Sequence, residues 1–262
     1  MRRRRRKSAV VCNSTNTHYV GSVKISVIVP AFNEEKLLGA SLAGIQGAAS
    51  AFARLGWAFE LIVCDNNSTD GTARIARAAG ASVVFEPFNQ IGRARNTGAS
   101  AATGDWLIFV DADSHPSAEL FADVAEQIVS GRCLAGGATI RLDEAQLVAG
   151  LIARLWNLAS RTGRWLAGSF IFVEAASFRR LGGFSQELFA GEELELSQRL
   201  KQLARQTDRH VVMLHRHPLV TSARKLRLYT PWDHIKLLIK VTYNRRSLTR
   251  RETCTLWYDG RR

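Results

Sequence analysis

A chain of 262 residues, 46% of them hydrophobic and carrying a formal net charge of +13, is long enough for one large α/β domain with a full core. No run of eighteen apolar residues occurs, which argues against a membrane-spanning helix. No apolar segment follows Lys7, so no secretory leader is expected. The four cysteines, Cys12, Cys64, Cys133 and Cys254, lie far apart without a Cys-x-x-Cys pair, which leaves zinc and thiol-redox motifs unsupported. A reducing cytoplasm is the expected setting.

The charge is uneven. Residues 1–7 carry +6, residues 8–198 carry −5 and residues 199–262 carry +12. Basic ends around a mildly acidic body suit an anionic partner such as lipid head groups, nucleic acid or a phosphorylated substrate. A plain solubilising role is the simpler alternative.

Residues 1–22 lack periodicity and are expected to form a disordered basic tail. Ile25–Pro30 reads as a strand of branched residues that ends where Pro30 cannot donate to a ladder. After the loop Ala31–Glu35, the spacing of Leu37, Leu38, Leu42 and Ile45 predicts a helix to about Leu55. Glu34 and Glu35 fall in its first turn, where they favour the dipole. Phe59–Cys64 reads as a second strand, closed by the turn-rich run Asp65–Gly71. Ser68 or Thr69 is placed to cap a helix over Gly71–Ala79, and Gly80 to stop it. Ala81–Phe85 is the third strand, and Gly92–Ala99 opens a small-residue helix that packs close to the sheet.

Asp105 to Asp113 organises the rest. Trp106–Val110 is a short apolar run that suits a strand buried on both faces, and it stops at Asp111-Ala112-Asp113. Two aspartates at a strand end repel unless a cation joins them. Hard oxygen ligands suit Mg²⁺ or Mn²⁺, which also hold substrate phosphates; the alternative is a solvated turn. Pro116 starts a helix over Ser117–Val129.

The resulting β-α-β-α-β-α-β-α order predicts an α/β fold with a Rossmann-like, doubly wound, mostly parallel sheet. Three polar loops at the carboxyl ends of its strands favour a nucleotide site. Neither G-x-G-x-x-G nor G-x-x-x-x-G-K-[ST] occurs, so the usual dinucleotide and P-loop cradles are excluded. The second half reads as a strand over Gly136–Leu142, a helix from Leu147 to Trp156, a strand over Gly168–Val173 and a short helix to Leu181. A helix from Gly191 to about Ala204, a strand over His210–Leu214 and a basic amphipathic helix over Pro231–Tyr243 follow.

Taken together and in this order, Ile25–Glu35, Val63–Thr72, Gly92–Gly98 and Phe109–Asp113 resemble glycosyltransferase family 2, over roughly residues 24–225. The resemblance implies the GT-A fold. It divides the chain into a basic tail (1–22), a glycosyltransferase domain (23–225) and a basic helical extension (226–262). Within the domain the nucleotide-binding half is about 23–130, and a smaller, mixed acceptor-side half is about 131–225. The implied activity is an inverting, metal-dependent transfer from a nucleotide-diphospho-sugar, a UDP-sugar by preference, to an acceptor hydroxyl. Pro30, Ala31 and Asn33 or Glu34 would line the nucleotide pocket. Asp65 would face the base, with Asn67 in the same loop. Arg95 and Asn96 would lie near the diphosphate or the sugar. Asp111 would contact the ribose or the sugar beside Ala112, and Asp113 would bind Mg²⁺ or Mn²⁺. Asp111 and His217 are further candidate ligands, although His217 and His215, in a loop, read more readily as polar surface. Relatives carry Glu-Asp at the head of a helix where this chain has Glu192-Glu193. Glu193 is therefore the candidate base, with Glu192 as fallback. Trp156, Trp165 and Trp232 are readable as sugar stackers or as core, and Arg224 and Lys225 as phosphate holders or a solvated face. The acceptor is open; a lipid-linked acceptor would suit contact of the basic C-terminal segment with the anionic inner face of a membrane. Nucleic acid is not an expected partner. A nucleotidyltransferase of similar fold, or a non-catalytic nucleotide-sugar or nucleic-acid binder, is the alternative reading.

Overall fold

A computed structural model of the chain describes residues 23–143, 147–166, 168–222 and 249. The expectations for residues 1–22, for the extension from 226 and its helix over Pro231–Tyr243, and for Arg224, Lys225 and Trp232 lie outside the described residues. The elements run β1 (Lys24–Ala31), α1 (Leu38–Ala48), α2 (Ser50–Ala53), β2 (Ala58–Asp65), α3 (Thr72–Ala78), β3 (Ser82–Phe85), α4 (Ile91–Ala101) and β4 (Trp106–Val110). There follow β5 (Ser114–His115), α5 (Ala118–Val129), β6 (Cys133–Leu142), α6 (Leu147–Gly163), β7 (Phe170–Glu174), α7 (Ala175–Arg180), α8 (Glu192–Gln206) and β8 (His210–Thr221).

The strands form one eight-stranded sheet in the order β3-β2-β1-β4-β7-β6-β8-β5. β1 lies between β2 and β4, parallel to both, with Val27 opposite Leu61 and Ile108. Strand β7 then enters antiparallel to β4 and to β6, which makes that side of the sheet mixed. Side chains of β1 and β4 alternate across the sheet, as the period of two requires. Val27, Val29, Ile108 and Val110 join a core with Leu38, Leu42, Ile45, Phe52, Phe121 and Val124 from α1, α2 and α5. Ile28, Leu107 and Phe109 face the other way, against Phe178, Leu196, Leu200 and Leu203 of α7 and α8. Phe109, Phe178 and Phe184 pack there as a triad with centroids 5.1–5.5 Å apart. Gly98 lets α4 lie close to β1, since a Cβ there would fall 2.5 Å from Ile28 Cγ2.

Cys64 and Cys133 are buried free thiols on opposite sides of the sheet. Burial pushes each thiol pKa up to about 12.

Several boundaries differ from the sequence expectation. The first helix is interrupted at Ala49, giving α1 and α2. Helix α3 is not capped by Ser68 or Thr69: the Thr72 amide donates to Asp70 Oδ1 at 2.9 Å. Ser68 Oγ instead accepts the Asn33 amide at 3.0 Å, tying two loops together. Helix α6 continues past Trp156 to Gly163. Strand β8 continues past Leu214 to Thr221 across a register jump, from Ala138 opposite Leu214 to Ile140 opposite Leu219. That bulge is where Pro218 is tolerated.

Candidate active site

The site is built where β4 leaves the sheet. Ala112 turns into the core, so the carboxylates on either side of it face one cavity of about 370 Å³. The loop is held by backbone bonds on both sides. The Asp111 amide donates to the Ser169 carbonyl at 3.2 Å, and the Asp113 carbonyl accepts the Ser222 amide at 3.2 Å. Asp113 is 4% exposed.

Arg95 closes the floor. It enters from α4, is 1% exposed, and donates through Nη1 to Glu192 Oε1 at 2.7 Å. Through Nη2 it donates to Asp111 Oδ1 at 3.1 Å and to the Gly168 carbonyl at 2.9 Å. Its guanidinium lies 5.2 Å from the Phe184 ring centroid, in cation–π range. Burial opposes its charge, but Asp111, Glu192 and Glu193 outweigh that and raise its pKa.

Helix α8 brings the opposite wall. Gly191 adopts φ 75° at its N-cap, a left-handed conformation that glycine takes without strain. This turn delivers Glu192 and Glu193 into the cavity together. Glu192 is buried and held by Arg95. Burial, then the charge of Glu192, pushes the Glu193 carboxyl up to about 8, with Arg95 pulling the other way. A carboxyl with its pKa near neutrality is suited to exchange protons. Trp156 of α6 also lines the cavity, consistent with a wall on which a sugar ring could rest.

The structure thus brings Arg95, Asp111, Asp113, Glu192 and Glu193 together. Pro30, Ala31, Asn33, Glu34, Asp65 and Asn67 sit elsewhere, at the carboxyl ends of β1 and β2 on the same sheet edge, and do not line this cavity. Asp65 Oδ1 accepts the Ser68 amide at 3.0 Å, and Asn33 Oδ1 accepts the Thr69 amide at 2.8 Å. Asn33 and Asn67 both have positive φ, 52° and 64°, as short polar side chains allow. The Glu34 amide donates to Thr72 Oγ1 at 2.8 Å. Asn96 uses both ends of its amide on the Phe184 backbone, at 2.8 and 2.9 Å, and so clasps α4 to the turn before α8. His217 does not line the cavity either; its Nδ1 lies 3.0 Å from Asp123 Oδ2 on α5. His215 is exposed. Trp165 is 41% exposed.

Two buried residues carry the site without having been singled out in the sequence. Gln90 Nε2 donates to the Gln186 and Leu188 carbonyls, both at 2.8 Å, and holds the loop that precedes α8. Asn66 accepts the Gln90 amide at 3.0 Å and donates to the Glu86 carbonyl at 3.2 Å. Only the density of amide side chains after β2 hinted at such a network.

The family model for glycosyl transferase family 2 matches residues 26–164. An uncharacterized glycosyltransferase of Mycobacterium tuberculosis is 36% identical over 113 residues, 43% of this chain and 47% of the relative. The chain therefore spans about half the length of that relative. A mannosyltransferase of Pyrobaculum calidifontis, solved with GDP-Man and Mn²⁺, superposes with a TM-score of 0.64 at 21% identity, covering 82% of this chain and 61% of the other. Glucosyl-3-phosphoglycerate synthase of M. tuberculosis, solved with Mn²⁺, UDP-glucose and phosphoglyceric acid, superposes with a TM-score of 0.56 at 19% identity, covering 84% and 76%. At such identities the likeness establishes the fold, and that fold is the GT-A architecture expected from the sequence.

Proposed function

Because the chain belongs to glycosyl transferase family 2, we propose that its Asp111–Glu193 cavity transfers a sugar, with inversion, from a nucleotide-diphospho-sugar to an acceptor hydroxyl. The observation that carries this reading is one cavity with two hard-oxygen carboxylates on one wall and a carboxyl of raised pKa on the other. A UDP-sugar is the donor we favour. Its nucleoside would lie over the ends of β1 and β2, near Pro30, Ala31, Asn33, Glu34, Asp65 and Asn67, and its diphosphate would approach Arg95, Asp111 and Asp113.

Asp111 and Asp113 are the residues that would hold Mg²⁺ or Mn²⁺. Among the described residues no group of three or more His, Cys, Asp or Glu is placed to hold a metal, and Asp111 Oδ1 is already engaged by Arg95. Two carboxylates still fit such a cation, because Mg²⁺ keeps waters and takes substrate phosphate oxygens for the rest of its shell. When bound, the ion offsets the charge on the departing nucleoside diphosphate.

Glu193 takes the proton from the acceptor hydroxyl, and the freed oxygen pair attacks the anomeric carbon. The bond from that carbon to the terminal phosphate oxygen breaks, and its electron pair leaves with the nucleoside diphosphate. One displacement inverts the configuration. Glu193 suits the role better than Glu192, whose carboxylate is locked against a permanent cation.

The test is donor hydrolysis or transfer across a panel of nucleotide-sugars with Mn²⁺. Asp113→Ala should abolish turnover, and Glu193→Gln should lower kcat by about 10²–10⁴-fold with little change in donor affinity. Full activity in either variant removes that residue from the mechanism.

A further inference from the structure

A second cleft, of about 320 Å³, opens between the end of α6, the last turns of α8 and the start of β8. Arg164, Lys201, Arg205, Arg209 and His210 line it, and among the described residues no acid does. One of these charges is already answered: Arg209 donates to Glu174 Oε2 at 2.9 Å and to the Cys133 carbonyl at 2.6 Å. Lys201 Nζ donates to the Gly163 carbonyl at 2.8 Å and pairs with no acid among the described residues. Neither Arg164 nor Arg205 forms an ion pair with a described acid. Arg164 is also held at φ 49°, the left-handed position after a helix that glycine or asparagine usually fills.

The shifts of two groups in the cleft run in the direction that an excess of positive charge requires. Burial lowers the Lys201 pKa, and Arg205 and Arg164 lower it further. Burial lowers His210 as well, and Arg132, Arg164 and Arg209 add to that. Every charged neighbour acting on these two groups pushes in one direction, so the cleft gathers more cations than the one acid that answers Arg209 can offset.

We propose that this cleft is a binding site for a phosphate group, separate from the donor cavity. Two guanidinium forks and an ammonium converging on a concave surface match the several acceptor oxygens of a phosphate. The proposal does not depend on the activity assigned above. It does have a consequence for that site. Helix α6 contributes Trp156, and α8 contributes Glu192 and Glu193, to the catalytic cavity, so a phosphate bridging Arg164 to Lys201 and Arg205 ties together two of its walls. The phosphate can come from a soluble monoester or from a lipid head group. The second source is worth an arm of the test because Leu151, Leu155 and Leu158, 58–60% exposed, form an apolar stripe on α6, the helix that ends at the cleft.

The experiment uses the full chain at constant ionic strength, with chloride exchanged for inorganic phosphate, and reads thermal midpoint and calorimetric affinity. Co-sedimentation with phosphatidylcholine vesicles, with and without phosphatidate, is the second arm. The comparison variant is Arg164→Gln/Arg205→Gln; both positions are exposed, and circular dichroism checks that the variant folds. Phosphate should raise the midpoint of the wild type, and the variant should lose affinity by roughly tenfold or more. Variant-sensitive binding of inorganic phosphate alone identifies a soluble ligand; variant-sensitive sedimentation that requires phosphatidate identifies a head group. A response that is equal in wild type and variant, or absent in both arms, overturns the proposal.

Discussion

Arg95 lies between Asp111 and Glu192 with its side chain 2% exposed and that of Glu192 3% exposed. Removing one member of a buried ionic group leaves the others uncompensated, which costs about 3–5 kcal/mol. Arg95→Met should therefore lower unfolding stability by that order in denaturant titration, and far more than a surface Arg→Met change. Glu193 supports a prediction of opposite sign. Its folded pKa, near 8, is raised above the unfolded value of 4.5. The native state therefore binds this proton more tightly than the unfolded state. The associated stabilisation is complete below the unfolded pKa and is lost as pH rises through the folded value. Glu193→Gln mimics the protonated form, so its thermal midpoint should exceed that of the wild type above pH 8, with the difference shrinking toward pH 4. The same variant should lose the ascending limb of the pH–rate profile. At this scale the sequence singled out candidate residues but not their partners. Asp111, Asp113 and the Glu192-Glu193 pair stand out by type and position, whereas the Arg95–Glu192 bond joins residues 97 apart, and no local pattern encodes that.

The junction of β6 and β7 is tightly packed. A Cβ on Gly136 would fall 2.4 Å from Phe172 Cζ and 2.7 Å from Val212 Cγ2. Gly136→Ala should cost about 1–3 kcal/mol through forced repacking, read as a lower denaturant midpoint with an unchanged slope. The four opening strand–helix units were legible because each strand is a branched run closed by turn residues and each helix repeats at its own period. The later elements were less so. His215–Pro218 interrupts the alternation and made β8 look finished at Leu214, yet pairing with β6 resumes at Leu219. Helix α6 looked shorter than it is because a polar residue follows Trp156. In the fold that residue, Asn157, bonds the Ile140 amide and carbonyl at 2.9 and 2.8 Å, so its polarity serves the sheet and does not end the helix. The direction of β7 was invisible, since its apolar run Phe170–Val173 reads the same whether it pairs parallel or antiparallel.

At the scale of the whole molecule, the cavity joins the two halves: α4 and β4 come from the first, α6 and α8 from the second. A ligand held across it should stabilise both at once. UDP with Mn²⁺ at a hundred times its dissociation constant should add about 2.7 kcal/mol, seen as a rise in thermal midpoint that Asp113→Ala removes. The α/β class was readable from repetition alone; the meeting of α6 and α8 with the end of β4 around one cavity was not, because it depends on which distant loops meet. Cys64 and Cys133 offer a way to watch that architecture come apart. Each thiol is shielded by a different layer, and thiolate, not thiol, attacks alkylating reagents. With Cys12 and Cys254 replaced by serine, modification of either site must wait for its own layer to lift, so the ratio of the two alkylation rates reports whether the layers breathe separately or as one.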